Sequence, residues 1–145
     1  DDTLAHIILP MLKQLKETKH GSPLVDDEDV PPHMRHSDPQ GDPQWGPDNW
    51  VHYKWEWVLN EMIFAFEHKI DDSWQEQFSQ GRVDYVHVPT DRDGNEVPRG
   101  EHVFYTMKHG PNHTYQCDYE GMKVVQQRIT NGFRLFGKYY ENLWD

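Results

Sequence analysis

The sequence predicts an α+β fold, three main helices packed with a small antiparallel β-meander. Three observations carry this. Apolar residues recur at steps of three and four over three long stretches, the period of a helix with one buried face. Between the second and third stretches the period drops to two around an Asp-Gly turn, the pattern of short paired strands. Between the first and second, from about 21 to 49, six prolines exclude both regular helix and central strand. At 145 residues without a repeated unit, positions 1–145 read as a single domain containing this Pro-rich loop.

The first helix is predicted over Thr3 to Lys19. Leu4, Ile7, Ile8, Met11, Leu12 and Leu15 form its apolar stripe, Thr3 is its expected N-cap, and Gly21 its stop. Pro10 removes an amide donor inside the stripe and predicts a kink. In the Pro-rich loop, Trp45 is the expected anchor to the core. The central helix follows over Trp50 to Ile70, with Val51, Trp55, Val58, Leu59, Met62, Ile63, Phe66 and Ile70 on one face and Asp48 or Asn49 as cap. It carries three of the six tryptophans, so the core is expected to form on it.

After a short helical continuation through Trp74 and Phe78 to Gly81, strands are predicted at Val83 to Val88, His102 to Lys108 and His113 to Cys117. Asp91 to Asn95 is the expected hairpin turn between the first two. Asp118 is expected to cap the last helix, which runs to Tyr139 with Met122, Val125, Ile129, Phe133, Phe136 and Tyr140 along its apolar face. Gly132 and Gly137 lie inside it, and an interior glycine that weakens a helix by about 1 kcal/mol points to close packing or a ligand.

A net charge of -11 argues against a non-specific partner for long nucleic acid and against an anionic membrane surface. No apolar run has the length to span a bilayer, and Cys117, the one cysteine, forms no internal disulfide. Catalytic motifs are absent: no nucleophile elbow, no Walker or Rossmann glycine pattern, and no zinc- or iron-binding spacing among the ten histidines. Asp91 to His102 has glutamate where a calcium loop needs glycine and histidine where it needs glutamate, so it reads as a turn. The acidic run Asp26-Asp27-Glu28-Asp29 reads as a solvated acidic loop or a helix N-terminus. No metal, cofactor or catalytic residue is assigned.

Binding chemistry is what remains. Arg128, Arg134 and Lys138 interleave with Phe133, Phe136, Tyr139 and Tyr140, a mixture of cations and rings that suits a planar anion. Lys19-His20-Gly21 and Lys108-His109-Gly110 repeat a Lys-His-Gly turn. The expected ligand-binding residues are therefore Lys19, His20, Lys108, His109, Arg134, Lys138 and Tyr139, and a subunit interface is the other use for the aromatic surplus.

The segments TLAHIILPMLKQLKETKHGSP (Thr3 to Pro23), VDDEDVP (Val25 to Pro31) and NGFRLFGKYYENLWD (Asn131 to Asp145), with the core from Trp55 to Phe66, resemble a family of small, mostly uncharacterised tailed-bacteriophage proteins. The resemblance covers both ends and the middle of the chain. It implies expression in the cytoplasm of the infected bacterial host. Within that setting the leading expectation is a non-catalytic, anti-defence sponge that sequesters a cyclic nucleotide immune signal. The alternatives are a virion or assembly protein acting by protein contacts, possible also as a homo-oligomer, and a metal-dependent enzyme.

Overall fold

A computed structural model describes residues 2–35, 50–100 and 104–144. Backbone contacts divide the chain into two compact units, one of residues 1–74 and 122–145, the other of residues 75–121. The fold is α+β, with three long helices and short antiparallel strands.

The first unit is built from α1 (Asp2–Thr18), α2 (Val51–Ile70) and most of α3 (Tyr119–Lys138). Trp55, Val58, Leu59, Met62 and Phe66 of α2 are buried, as the periodicity of the central stretch requires. They pack with Ala5 and Leu12 of α1 and with Leu135 of α3 in one apolar core. Phe66 meets the rings of Phe133 and Phe136 edge-on at 5.0 and 5.1 Å. Ion pairs fix the direction of α1 on α2. Asp2 reaches Lys69 at one end and Lys19 reaches Glu56 at the other, so the two helices run antiparallel.

Several local expectations change. Thr3 lies inside α1, which starts at Asp2, so it is not the N-cap; that α1 runs through Pro10 to Thr18 agrees with the continuous apolar stripe. The Pro-rich segment forms only single turns where described, at Asp27–Asp29 and Pro32–Met34, as its proline density dictates. Trp45, Asp48 and Asn49 lie outside the described residues.

Gly132 is buried where α3 crosses α2. A Cβ added there would lie 2.4 Å from the Glu61 carbonyl oxygen and 2.6 Å from the Ala65 Cβ, so only glycine permits the approach. Beside it, Arg128 grips Glu61 with two nitrogens at 2.9 and 2.7 Å and lies 3.6 Å over the Phe64 ring. Gly137, by contrast, faces open space.

The second unit holds β1 (Ser79–Gln80), β2 (Tyr85–Thr90), β3 (Phe104–His109) and β4 (Gln116–Cys117). The strands form two separate antiparallel ladders, β1 with β4 and β2 with β3, in place of one meander. The cause lies at Gly81. Its φ of +88° turns the chain so that Thr114 and Tyr115 donate to the Arg82 carbonyl at 2.9 and 3.0 Å. The predicted third strand is thereby delivered to Ser79–Gln80 and away from β3.

A turn forms at Asp91, but not as the hairpin connection between the first two predicted strands. The Asp91 carboxylate accepts from the amides of Asp93 and Asn95, both at 2.9 Å, and Gly94 takes φ +84°. The chain returning from it pairs with β2 only briefly, at Thr90 and Glu96. The longer partner of β2 is β3, on its other edge. Asp118 accepts from the Gly121 amide at 2.9 Å, the predicted cap of α3.

Candidate functional site

Three of the seven residues singled out in the sequence, Arg134, Lys138 and Tyr139, converge on one carboxylate. Asp29 ends the short turn after Val25, is buried, and accepts from the Arg134 guanidinium, the Lys138 ammonium and the Tyr139 hydroxyl, each at 2.6 Å. The acidic run is therefore not a solvated loop throughout. Its last carboxylate anchors the Pro-rich segment to the end of α3. Tyr139 also accepts from the Asp26 amide at 3.0 Å, and Lys138 also reaches Asp26 at 2.7 Å and Glu28 at 3.2 Å. On the other side, Asp27 receives the buried Lys54 ammonium of α2 at 2.7 Å.

The electrostatics follow from this geometry. Burial alone would raise the Asp29 carboxyl, but the bonds from Lys138, Tyr139 and Arg134 outweigh it and hold it below its ordinary value. Lys138 is raised, first by Asp26 and then by Asp29. Tyr139 is pushed up to about 12, first by burial and then by its bond to the ionised Asp29. Oxygens of Asp26, Glu28 and Asp29 lie within 4.8 Å of one another, close enough to hold a cation. The Lys138 ammonium already bonds all three carboxylates, so it supplies the positive charge such a cluster needs.

The other expected residues are placed elsewhere. Lys19 is bonded to Glu56 at 2.6 Å and to the Lys16 carbonyl at 2.8 Å. His20 is exposed and lines a cleft of about 510 Å³ with Trp55, Asn142 and Trp144. Next to it, Ser22 and the Nδ1 of His52 lie 2.8 Å apart, tying the loop to α2. In the second unit Lys108 pairs with Glu96. His109 stacks on His113 at 3.8 Å with rings 7° from parallel, and Tyr85 lies 5.4 Å away.

A second feature escaped the sequence reading. α1, the last turn of α3 and the segment after it form an apolar groove of about 640 Å³, lined by Leu4, Met11, Leu15, Phe136, Tyr140 and Leu143. The α1 stripe is broader than the surface α2 and α3 cover, and Leu4, Ile7 and Met11 remain more than half exposed. An apolar periodicity reports that a face seeks burial but not how much of it the same chain buries. No helix among the described residues is long and apolar enough to cross a membrane. Neither a protein-family model, nor a curated protein, nor a solved structure matches the chain.

Proposed function

We propose that the chain is a non-catalytic phage protein acting through protein–protein contacts, as a virion or assembly component in the infected host. The observation that carries this reading is the groove along α1. It is concave, largely apolar and open, the form that accepts the apolar face of an amphipathic helix. Charge selects the occupant. Lys13 and Lys16 of α1, and Lys19 just after it, are bonded to Glu67 and Glu56 of α2. Glu17 and Glu141, each next in sequence to a lining residue, have no ion pair among the described residues, and the chain carries -11 overall. The groove therefore favours a helical segment with basic flanks.

A cyclic nucleotide sponge has less support. Of its five expected phosphate contacts, Lys19, His20, Lys108, Arg134 and Lys138, all but His20 are already bonded to a carboxylate of the same chain.

The test is fluorescence anisotropy with two labelled synthetic helices sharing a leucine face, one flanked by lysines and one by glutamates. The lysine-flanked helix is expected to bind, more weakly as salt rises, and to lose binding to a Met11→Glu chain. Equal binding of both helices, or of neither, overturns the reading. Calorimetry with cyclic di- and trinucleotides is expected to show no heat, and a saturable signal would return the sponge to first place.

A further inference from the structure

The β2–β3 ladder has two edges, and the fold treats them differently. The Val97 amide donates to the Pro89 carbonyl at 3.0 Å, and Thr90 bridges Glu96, so the outer edge of β2 is partly covered. Pro89 removes a donor from that edge as well. Among the described residues no strand pairs with the outer edge of β3. All six residues of β3 are exposed, with Phe104, Tyr105 and Met107 more than half so. A lone two-stranded ladder is marginal in water, and exposed, unpaired amides and carbonyls are a template for another strand.

The backbone fixes which groups face outward. Because the Pro89 carbonyl points away from β3, the facing pair Pro89 and Tyr105 is of the kind that exchanges no hydrogen bonds. The amide and carbonyl of Tyr105 therefore face the open edge, and by the two-residue repeat those of Met107 and His109 do too. The bond from the Gly110 amide to the Asp84 carbonyl at 2.9 Å agrees with this alternation.

We propose that β3 pairs antiparallel with β3 of a second copy, about a two-fold axis at Met107, to give a four-stranded sheet across a homodimer. An isologous contact needs a self-complementary strand, and this one is. With the axis at Met107, all three outward residues find partners: Met107 faces the partner's Met107, and Tyr105 faces the partner's His109. Moving the axis to Thr106 leaves His109 without one. The Tyr105 contact with the partner's His109 repeats the Tyr85–His109 contact already made within the chain at 5.4 Å. Lys108 faces the partner's Thr106, so no like charges oppose one another directly, and Glu96 of its own chain meets its charge.

Sedimentation velocity over a concentration series tests this on the full chain. The wild-type chain is expected to pass from monomer to dimer as concentration rises. A residue on the axis faces its own copy, so Met107→Lys and Met107→Glu should each weaken the dimer about five- to tenfold by self-repulsion. An equal mixture of the two should regain wild-type association, because lysine then faces glutamate. Met107 is exposed, and an unchanged circular dichroism spectrum confirms that both variants fold. A wild-type chain that stays monomeric overturns the proposal. So does a dimer indifferent to both variants, or a mixture that fails to recover.

Discussion

The Tyr139 hydroxyl donates to the buried Asp29 carboxylate at 2.6 Å across 110 positions of sequence. That one bond joins the turn at the start of the Pro-rich segment to the end of the last helix. Around it the positive groups that looked like ligand contacts act as internal partners: Arg134 and Lys138 neutralise a carboxylate that could not otherwise be buried. The cluster is accordingly read through stability and its dependence on pH.

Asp29→Asn keeps the size of the side chain and removes its charge, leaving Arg134 and Lys138 without their buried acceptor. Breaking a buried pair by removing one partner costs about 3–5 kcal/mol. Both cations are partly exposed, so about 2 kcal/mol is expected here. The folded Asp29 lies below its ordinary value of 3.8. Its contribution is therefore complete above about 3.8 and is lost as pH falls through the depressed folded value. Denaturant titrations should show wild type more stable than Asp29→Asn at pH 6, with the gap closing below pH ~3.8.

Tyr139 gives the opposite sign. Its folded hydroxyl ionises at about 12 against an ordinary 10.0, so its contribution is complete below pH 10.0 and declines as pH rises to about 12. Tyr139→Phe removes the bond to Asp29 and leaves the Asp26 amide without its acceptor, which costs about 1–2 kcal/mol at neutral pH. The difference in melting temperature between the two chains should shrink as pH rises from 10.0 towards 12. A difference that stays constant over that range contradicts the assignment.

Much of the architecture was legible because it rests on local periodicity. Trp55, Val58, Leu59, Met62 and Phe66 recur at helical steps, and all five are buried. Asp118 and the Asp91 turn act through short side-chain bonds that need only neighbours in sequence. What was not legible depends on distant pairing. Nothing local in Gln116–Cys117 announces Ser79–Gln80 as its partner, nor does Asp29 announce Arg134. The cations of α3 therefore read as ligand contacts until their carboxylates were placed beside them.

Gly132 and Gly137 separate packing from helix propensity within one helix. Gly137→Ala faces open space and should stabilise the chain by about 0.5–1 kcal/mol, since alanine loses less conformational freedom on entering a helix. Gly132→Ala gains the same propensity but drives a methyl group against the Glu61 carbonyl and the Ala65 side chain. Overpacking of this kind costs about 1–3 kcal/mol and should outweigh the gain. Chemical denaturation of the two variants should give shifts of opposite sign.

Gly81 and Gly94 make the corresponding comparison in the second unit. Both have positive φ, at +88° and +84°, and alanine in that region costs about 1–2 kcal/mol. Around Gly94 nothing lies within 4 Å, so Gly94→Ala should show this strain alone. At Gly81 an added Cβ would lie 2.1 Å from the Thr114 carbonyl oxygen, and backbone must move to admit it. The bonds at risk are those from the Thr114 and Tyr115 amides to the Arg82 carbonyl, which hold β4 beside β1. Hydrogen exchange by NMR should show these two amides losing protection in Gly81→Ala while the amides of α2 keep theirs. In Gly94→Ala the Thr114 and Tyr115 amides should be unchanged. Equal loss in both variants would mean that backbone strain, and not the approach of Thr114, is why glycine stands at 81.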